Sequence, residues 1–384
     1  GALQEFFSRE HTFDRVMGTS AGAITATLLA AGYNTDELLT ALNEQDGKGN
    51  PIFASFMGAP PALTRDEIQT SDIRAILSSV NSILIPDFIE RRLDDAIANL
   101  MARSSRFINL FAFVQRGGWY SAHAFIDWLS RKLDEGTFQE QPRNFSKMTL
   151  AEFFAATKTE LTMIAADVTD AQILILNHRT APNLPLVYAV RMSMSIPLLW
   201  DEVIWQPSWG TYRDRDMTSH AIVDGGVLSN FPIELFVSGE SFVTDVMGPK
   251  QSTDILGCLI EAKMPVLDAP APPGKKKLGF LSGAGNLETV HRLSGLVETI
   301  LEARDKVVIE AFEHLIVCCP AKGYGTTEFN MSEERRKALV TAGRNAMRDY
   351  FERPEPADSR GMGGLLEDPS VEIAARRARR LLGD

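Results

Sequence analysis

The chain has 384 residues, of which 45% are hydrophobic and 23% are charged, and its formal net charge is −11. This composition is typical of a globular protein with a large buried core, and the acidic balance argues against non-specific binding to nucleic acid. No apolar stretch is long enough to span a bilayer. The three cysteines lack the spacing of a disulfide framework. These features predict a cytoplasmic location, with or without association with a membrane surface.

The first motif in chain order lies at residues 18–22, which read Gly-Thr-Ser-Ala-Gly. A short apolar segment precedes it at 13–17, and a run of good helix formers follows at 23–31. A G-x-S-x-G pentapeptide between a strand and a helix is the setting of a nucleophile elbow. Ser20 is therefore a candidate nucleophile. The alternative interpretation is a serine that only caps the helix.

The neighbours of Ser20 suit the same chemistry. Gly18 and Gly22 have no Cβ, so the backbone can turn sharply and hold the serine hydroxyl clear of the sheet. The helix that begins at Ala21 directs free N–H groups and its positive dipole end toward that oxygen. An oxyanion beside Ser20 would be stabilised by those groups.

A helical insertion is predicted between residues 66 and 115, where apolar side chains recur at helical spacing. Within it, residues 107–114 are conspicuously apolar, and Trp119 and Tyr120 follow. Two interpretations stay open for this stretch. It is either a core helix packed on the sheet, or a lipid-facing cap over the site, since Trp and Tyr suit a boundary between apolar and wet surroundings.

The rest of the chain alternates between predicted strands and predicted helices. The strands are expected at 161–167, 172–177, 203–206, 221–224, 255–261 and 315–319, and the helices at 122–134, 149–157, 186–193, 231–238, 294–312 and 333–351. Such alternation predicts a layered α/β fold with a largely parallel central sheet flanked by helices.

A second motif lies at residues 221–233, where an apolar strand ends at Asp224 and Gly225-Gly226 makes a tight turn. The carboxylate is thereby left at a strand end, where open α/β sheets place their sites. A serine needs a base to act as a nucleophile near neutral pH, and a carboxylate with a raised pKa can serve. The alternative is an ordinary Asp-Gly turn in a hairpin.

Together these motifs resemble the patatin-like phospholipase family, which pairs a G-x-S-x-G serine with a D-G-[GA] aspartate, and further stretches resemble its bacterial branch. Further similar stretches follow in the order of the family, including Ala-Val-Arg-Met-Ser-Met-Ser-Ile-Pro at 189–197. The others lie at 118–125, 128–129, 161–169 and 325–329. The resemblance covers residues 1–352 and implies an acyl hydrolase domain. The Pro, Gly and acidic residues after it predict a tail at 353–384, with a short helix at 371–382 that carries Arg376, Arg377, Arg379 and Arg380. This helix is either solvated or in contact with anionic lipid.

The resemblance implies that Ser20 is the nucleophile and Asp224 the base, and that a fatty acyl ester of a phospholipid or related glycerolipid is cleaved through an acyl-enzyme. It implies transient contact with a membrane surface, and neither a metal nor an organic cofactor. Relatives also carry a glycine-rich loop, which supplies much of the oxyanion hole, upstream of the serine. The printed sequence opens with what resembles the helix after that loop. The loop is therefore expected to precede Gly1 in the natural protein.

Two other functions are compatible with the sequence. Ser20, Asp224 and either His291 or His314 follow the chain order of an α/β-hydrolase triad. A protein of this fold could also serve as a non-catalytic interaction partner. The sequence contains no metal-ligand spacing of histidines or cysteines. The oligomeric state, head group and acyl length are left open.

Overall fold

The computed structural model describes residues 1–56, 105–250, 254–270, 306–325, 331–353 and 369–382. The helices predicted between residues 66 and 104, and most of the predicted helix at 294–312, lie outside the described residues. Among the described helices, none is long and apolar enough to cross a bilayer. Cys258, Cys318 and Cys319 lie in two strands and form no disulfide bond.

The described chain contains both helices and strands, with a run of helices near its start and a run of short strands at 198–224. The helices are α1 (Ala2–Ser8), α2 (Ala21–Ala30), α3 (Thr35–Leu42), α4 (Ile52–Ser55), α5 (Ser105–Arg116), α6 (His123–Asp134), α7 (Leu150–Thr157), α8 (Leu186–Ser193), α9 (Glu234–Val237), α10 (Ser241–Met247), α11 (Lys306–Ala311), α12 (Glu333–Phe351) and α13 (Pro369–Leu382). The strands are β1 (Arg15–Thr19), β2 (Gly118–Tyr120), β3 (Thr137–Phe138), β4 (Gln141–Pro142), β5 (Glu160–Asp167), β6 (Gln172–Leu176), β7 (Leu198–Trp200), β8 (Val203–Ile204), β9 (Thr211–Tyr212), β10 (Arg215–Asp216), β11 (Ala221–Asp224), β12 (Gly257–Pro265) and β13 (Ile316–Lys322).

Local sequence explains several of these boundaries. Helix α7 begins after Thr149, whose side chain accepts a hydrogen bond from the Glu152 N–H, while the Glu152 carboxylate accepts one from the Thr149 N–H. Asn34 and Glu37 form the same reciprocal cap at the start of α3. Each cap satisfies backbone donors that the first helical turn leaves free.

The central sheet has five strands and a mixed topology. Strand β5 pairs in parallel with β1 but antiparallel with β6 and β11, and β11 pairs antiparallel with β8. The predicted α/β class agrees with this arrangement, but the predicted largely parallel sheet is wrong. Only four residues, 168–171, connect β5 to β6. A parallel pair needs a crossover of about a dozen residues or more, so this connection forces a hairpin.

Strands β1 and β11 lie end to end along the same edge of β5. Thr19 is the last β1 residue in register, opposite Ile164, and Asp224 is the last β11 residue, opposite Ala165. Because β1 runs parallel to β5 and β11 runs antiparallel, both carboxyl ends arrive at the same point. Residues that follow these two strands are therefore brought together.

The sheet separates two apolar cores. Side chains of β5 alternate between them: Leu161, Met163 and Ala165 pack with α2, α6 and α8 on one face, and Ile164 packs with α9 and α10 on the other. This alternation follows from the two-residue period of a strand. All of β5 is buried, as expected for a strand covered by helices on both faces.

The basic C-terminal helix predicted from the sequence is present as α13. Its Ala374 and Ala378 are fully buried, and the helix packs against α9 and β6. Arg377 lies 3.9 Å from the buried carboxylate of Glu234. The helix thus adds to the second core, and the predicted division of the chain at residue 352 stays a prediction.

Candidate active site

Ser20 lies at the sharp turn between β1 and α2, with a φ of 55° and a ψ of −124°. A side chain in this region of φ and ψ costs on the order of 1–3 kcal/mol, which the surrounding structure must offset. The Ser20 side chain makes no capping hydrogen bond to α2. The interpretation of Ser20 as a simple helix cap is therefore wrong.

The two glycines of the pentapeptide are in different situations. A Cβ on Gly18 would lie 2.1 Å from the carbonyl oxygen of Gly22, whereas a Cβ on Gly22 would meet nothing within 4 Å among the described residues. The sequence predicted that both positions require glycine for steric reasons, and Gly18 does. At Gly22 the described structure gives no steric reason for it, because this residue is exposed at the start of α2.

Backbone donors face outward at the same place. Ala21 and Gly22 open α2, and both are exposed. The first intrahelical hydrogen bonds to the Ser20 carbonyl come from Ala23 and Ile24. The N–H groups of Ala21 and Gly22 precede them and have no hydrogen-bond partner within the part of the chain that the structure describes. They are the donors available to an oxyanion beside Ser20.

Asp224 ends β11 and is fully buried. One carboxylate oxygen, Oδ1, accepts a hydrogen bond of 2.8 Å from the N–H of Gly226. A Cβ on Gly225 would lie 2.5 Å from the carbonyl oxygen of Ile164, so glycine lets this turn approach β5 closely. Residues 225–227 form a 3₁₀ turn that continues toward α9, rather than the hairpin considered as the alternative.

Burial raises the pKa of Asp224 to about 7, and the Ser20 hydroxyl and the Gly226 N–H lower it in part. The second carboxylate oxygen, Oδ2, has no hydrogen-bond partner among the described residues. The Ser20 hydroxyl is nevertheless close enough to the carboxylate to lower its pKa. Catalytic hydrogen bonds are often long without substrate. The structure brings the predicted nucleophile and the predicted base together, while their roles stay predictions.

A third segment, at the end of α8, contacts the backbone of both residues. The Ser193 hydroxyl accepts a hydrogen bond from the Ser20 N–H at 3.2 Å, and the Ser195 carbonyl accepts one from the Asp224 N–H at 2.8 Å. Both serines are fully buried. The sequence motif at 189–197 includes these positions, but spacing alone gave them no role, because backbone contacts across the fold leave no local pattern.

Comparison with known proteins supports the resemblance predicted from the motifs. The model of the family described as patatin-like phospholipase matches residues 1–237, which include Ser20 and Asp224. The chain belongs to the patatin-like phospholipase family. It is 24% identical over 352 residues to the uncharacterized protein YqhO of Bacillus subtilis (strain 168), with 90% of each chain covered. A solved structure, that of VipD from Legionella pneumophila, is similar with a TM-score of 0.40 and 16% identity, covering 100% of this chain and 72% of that one.

The apolar stretch considered as a lipid-facing cap is only partly described. Residues 105–116 form α5, but the side chains of Phe107, Ile108, Leu110 and Phe111 lie outside the described residues. Trp119 and Tyr120 belong to the buried strand β2. The Trp119 ring contacts that of Phe113 with 5.9 Å between centroids. Trp119 and Tyr120 are therefore core residues. Lipid contact by 107–114 stays a prediction.

No described histidine forms a hydrogen bond or ion pair with Ser20 or Asp224. The His314 carbonyl accepts a hydrogen bond from the Tyr350 hydroxyl, and His291 lies outside the described residues. His220 groups with Asp167 and Asp170 at a spacing that could hold a metal ion. Both Asp167 oxygens already accept hydrogen bonds, from the Thr169 N–H among others, and one lies 2.9 Å from His220 Nδ1. The contacts of Asp167 stabilise the turn between β5 and β6.

Proposed function

We propose that this protein is a serine lipid acyl hydrolase, of the phospholipase A or lysophospholipase type. It would cleave fatty acyl esters of phospholipids or related glycerolipids with a dyad of Ser20 and Asp224. One observation carries the proposal: β1 and β11 end at adjacent residues of β5, which brings a strained, partly exposed serine beside a buried carboxyl. Membership of the patatin-like phospholipase family supports a lipid ester as the substrate.

The proposed reaction has two halves. Asp224 takes the proton of the Ser20 hydroxyl as its oxygen attacks the ester carbonyl carbon. The tetrahedral intermediate then collapses: the bond to the alcohol oxygen breaks, Asp224 gives its proton to that oxygen, and the acyl group stays on Ser20. Asp224, again ionised, next deprotonates a water molecule that attacks the acyl-enzyme; the bond to the Ser20 oxygen breaks, Asp224 returns the proton to that oxygen, and the fatty acid is released. A base with a pKa of about 7 suits this work, because it is ionised in part at neutral pH and still accepts a proton readily.

The developing negative charge would be stabilised by the backbone N–H groups of Ala21 and Gly22 at the start of α2. The dipole of α2 adds to this stabilisation. A glycine-rich loop of the kind that the family resemblance implies would supply further donors. Loss of a single oxyanion donor lowers the rate on the order of 10²–10³-fold, so a chain without that loop should be much slower than one that has it.

Single and double substitutions test the dyad. Ser20→Ala and Asp224→Ala should each nearly abolish hydrolysis of a short-chain ester and of phospholipid vesicles. The double variant should be little worse than either, because residues that act as one unit are not additive. His314→Ala is the control and should retain turnover.

Other outcomes would point to the other two functions. Near-normal turnover in Asp224→Ala, with loss of turnover in His291→Ala or His314→Ala, would identify a triad. A parent protein without Ser20-dependent hydrolysis would be a non-catalytic interaction protein.

A further inference from the structure

The Ser193 hydroxyl is placed between the candidate nucleophile and the central strand. It accepts the Ser20 N–H at 3.2 Å and donates to the Ile164 carbonyl at 2.6 Å. Ile164 is the β5 residue opposite the last residue of β1. The Ser193 hydroxyl thus links the Ser20 backbone to β5 by two hydrogen bonds, at the point where β1 ends and the turn to α2 begins.

The strained backbone of Ser20 explains why such a tie matters. With a φ of 55°, Ser20 leaves the extended conformation of β1, and without Ser193 its partly buried N–H would lose its hydrogen-bond partner. Buried donors need a partner. Rotation of this peptide would carry Cα, and with it the hydroxyl, away from Asp224. Asp224 is held in a comparable way, because its N–H donates to the carbonyl of Ser195, two residues after Ser193.

We propose that Ser193 is a positioning residue, whose hydroxyl fixes the backbone of Ser20 at the angle that directs the nucleophile toward Asp224. This inference rests on the proposed function. Ser193 does not touch the reacting atoms, so it should affect the rate of the chemical step and leave substrate binding unchanged. Small displacements of a reacting group, of about 1 Å, lower rates on the order of 10²-fold.

The test compares Ser193→Ala with a matched control, Ser238→Ala. Ser238 is also buried, and its hydroxyl accepts a single backbone hydrogen bond, from the Glu240 N–H at 3.3 Å. Steady-state rates on a soluble p-nitrophenyl ester, together with the rate of Ser20 labelling by a fluorophosphonate, report on the nucleophile. We expect kcat and the labelling rate to fall on the order of 10²-fold in Ser193→Ala, with KM nearly unchanged. Ser238→Ala should keep both, and Ser193→Thr, which retains a hydroxyl, should recover most of the lost rate.

Each other outcome counts against the inference. A kcat in Ser193→Ala close to that of the parent would overturn it, as would a Ser193→Thr variant no better than alanine. Unfolding of Ser193→Ala under conditions in which Ser238→Ala stays folded would make Ser193 a purely structural residue. A parent without Ser20-dependent turnover would overturn the proposed function and this inference with it, whereas normal turnover in Ser193→Ala would overturn only the inference.

Discussion

Replacement of Asp224 by asparagine tests the buried carboxyl through stability as well as through activity. Asparagine has nearly the same shape and keeps an oxygen that can accept the Gly226 N–H hydrogen bond. It cannot take a proton from Ser20 or carry a charge. Activity should therefore be lost, while the pH dependence of stability should change in a direction that the structure determines.

The sign follows from proton binding. Burial raises the pKa of Asp224 from its ordinary 3.8 to about 7, so between these values the folded protein binds more protons than the unfolded chain. The free energy of unfolding then falls as the pH rises through this range, and the loss is complete above about pH 7. From pH 5 to pH 7, at about 1.4 kcal/mol per pH unit, the parent should lose on the order of 2–3 kcal/mol that Asp224→Asn does not lose.

Urea unfolding of both proteins at pH 5 and pH 8 measures this difference. The constant cost of burying an amide appears at both pH values and cancels in the comparison. The stability of Asp224→Asn relative to the parent should rise by on the order of 2–3 kcal/mol between pH 5 and pH 8. Ser20→Ala, which is inactive but keeps the carboxyl, should lose stability with rising pH as the parent does, with the loss displaced to higher pH because the hydroxyl that lowers the pKa is gone. An equal difference between Asp224→Asn and the parent at the two pH values would refute the reasoning.

Three further predictions concern the Asp224 base, the glycines of the pentapeptide and the apolar stretch at 107–114. The kcat/KM of the parent on a soluble ester should rise with pH and level off above about 7, as the Asp224 base ionises; a profile already flat at pH 5 would contradict this assignment. Gly18→Ala should lower the melting temperature and the activity, because its Cβ would lie 2.1 Å from a backbone oxygen. Gly22→Ala should melt at the same or a higher temperature, and equal melting of the two variants would count against the steric argument. Phe111→Asp should reduce hydrolysis of vesicles more than hydrolysis of a short ester if 107–114 faces lipid, whereas a parallel loss with a lower melting temperature would indicate a core helix.

Much of the local structure was predictable because it depends on local rules. The spacing of apolar residues and the capping signals gave α8 and α12 with their observed ends, and β11 in full. The strand–turn–helix around Ser20 was predictable for the same reason. By contrast, the helix predicted at 231–238 is only the four residues of α9. Pro232 disfavours helical backbone in the residue before it.

Strand direction was not predictable from the same rules. An apolar run such as β5 or β6 reads alike in parallel and antiparallel sheets, and alternation with helices favoured the parallel choice. The short connection at 168–171 was the local signal for a hairpin. The contacts of Ser193 and Ser195 could not be predicted from the sequence, because they join residues that are far apart in the chain.

The mixed sheet places a strict condition on the site. Ser20 and Asp224 are both positioned by β5, through pairings that end at the adjacent residues Ile164 and Ala165. A slip of either β1 or β11 by one residue would turn its side chains to the opposite face of the sheet. The site therefore depends on two registers at once, at a point where a strained serine and a buried carboxyl each cost stability. Two features offset these costs: the hydrogen bonds that the 193–195 segment accepts from the N–H groups of both residues, and the apolar cores on both faces of β5.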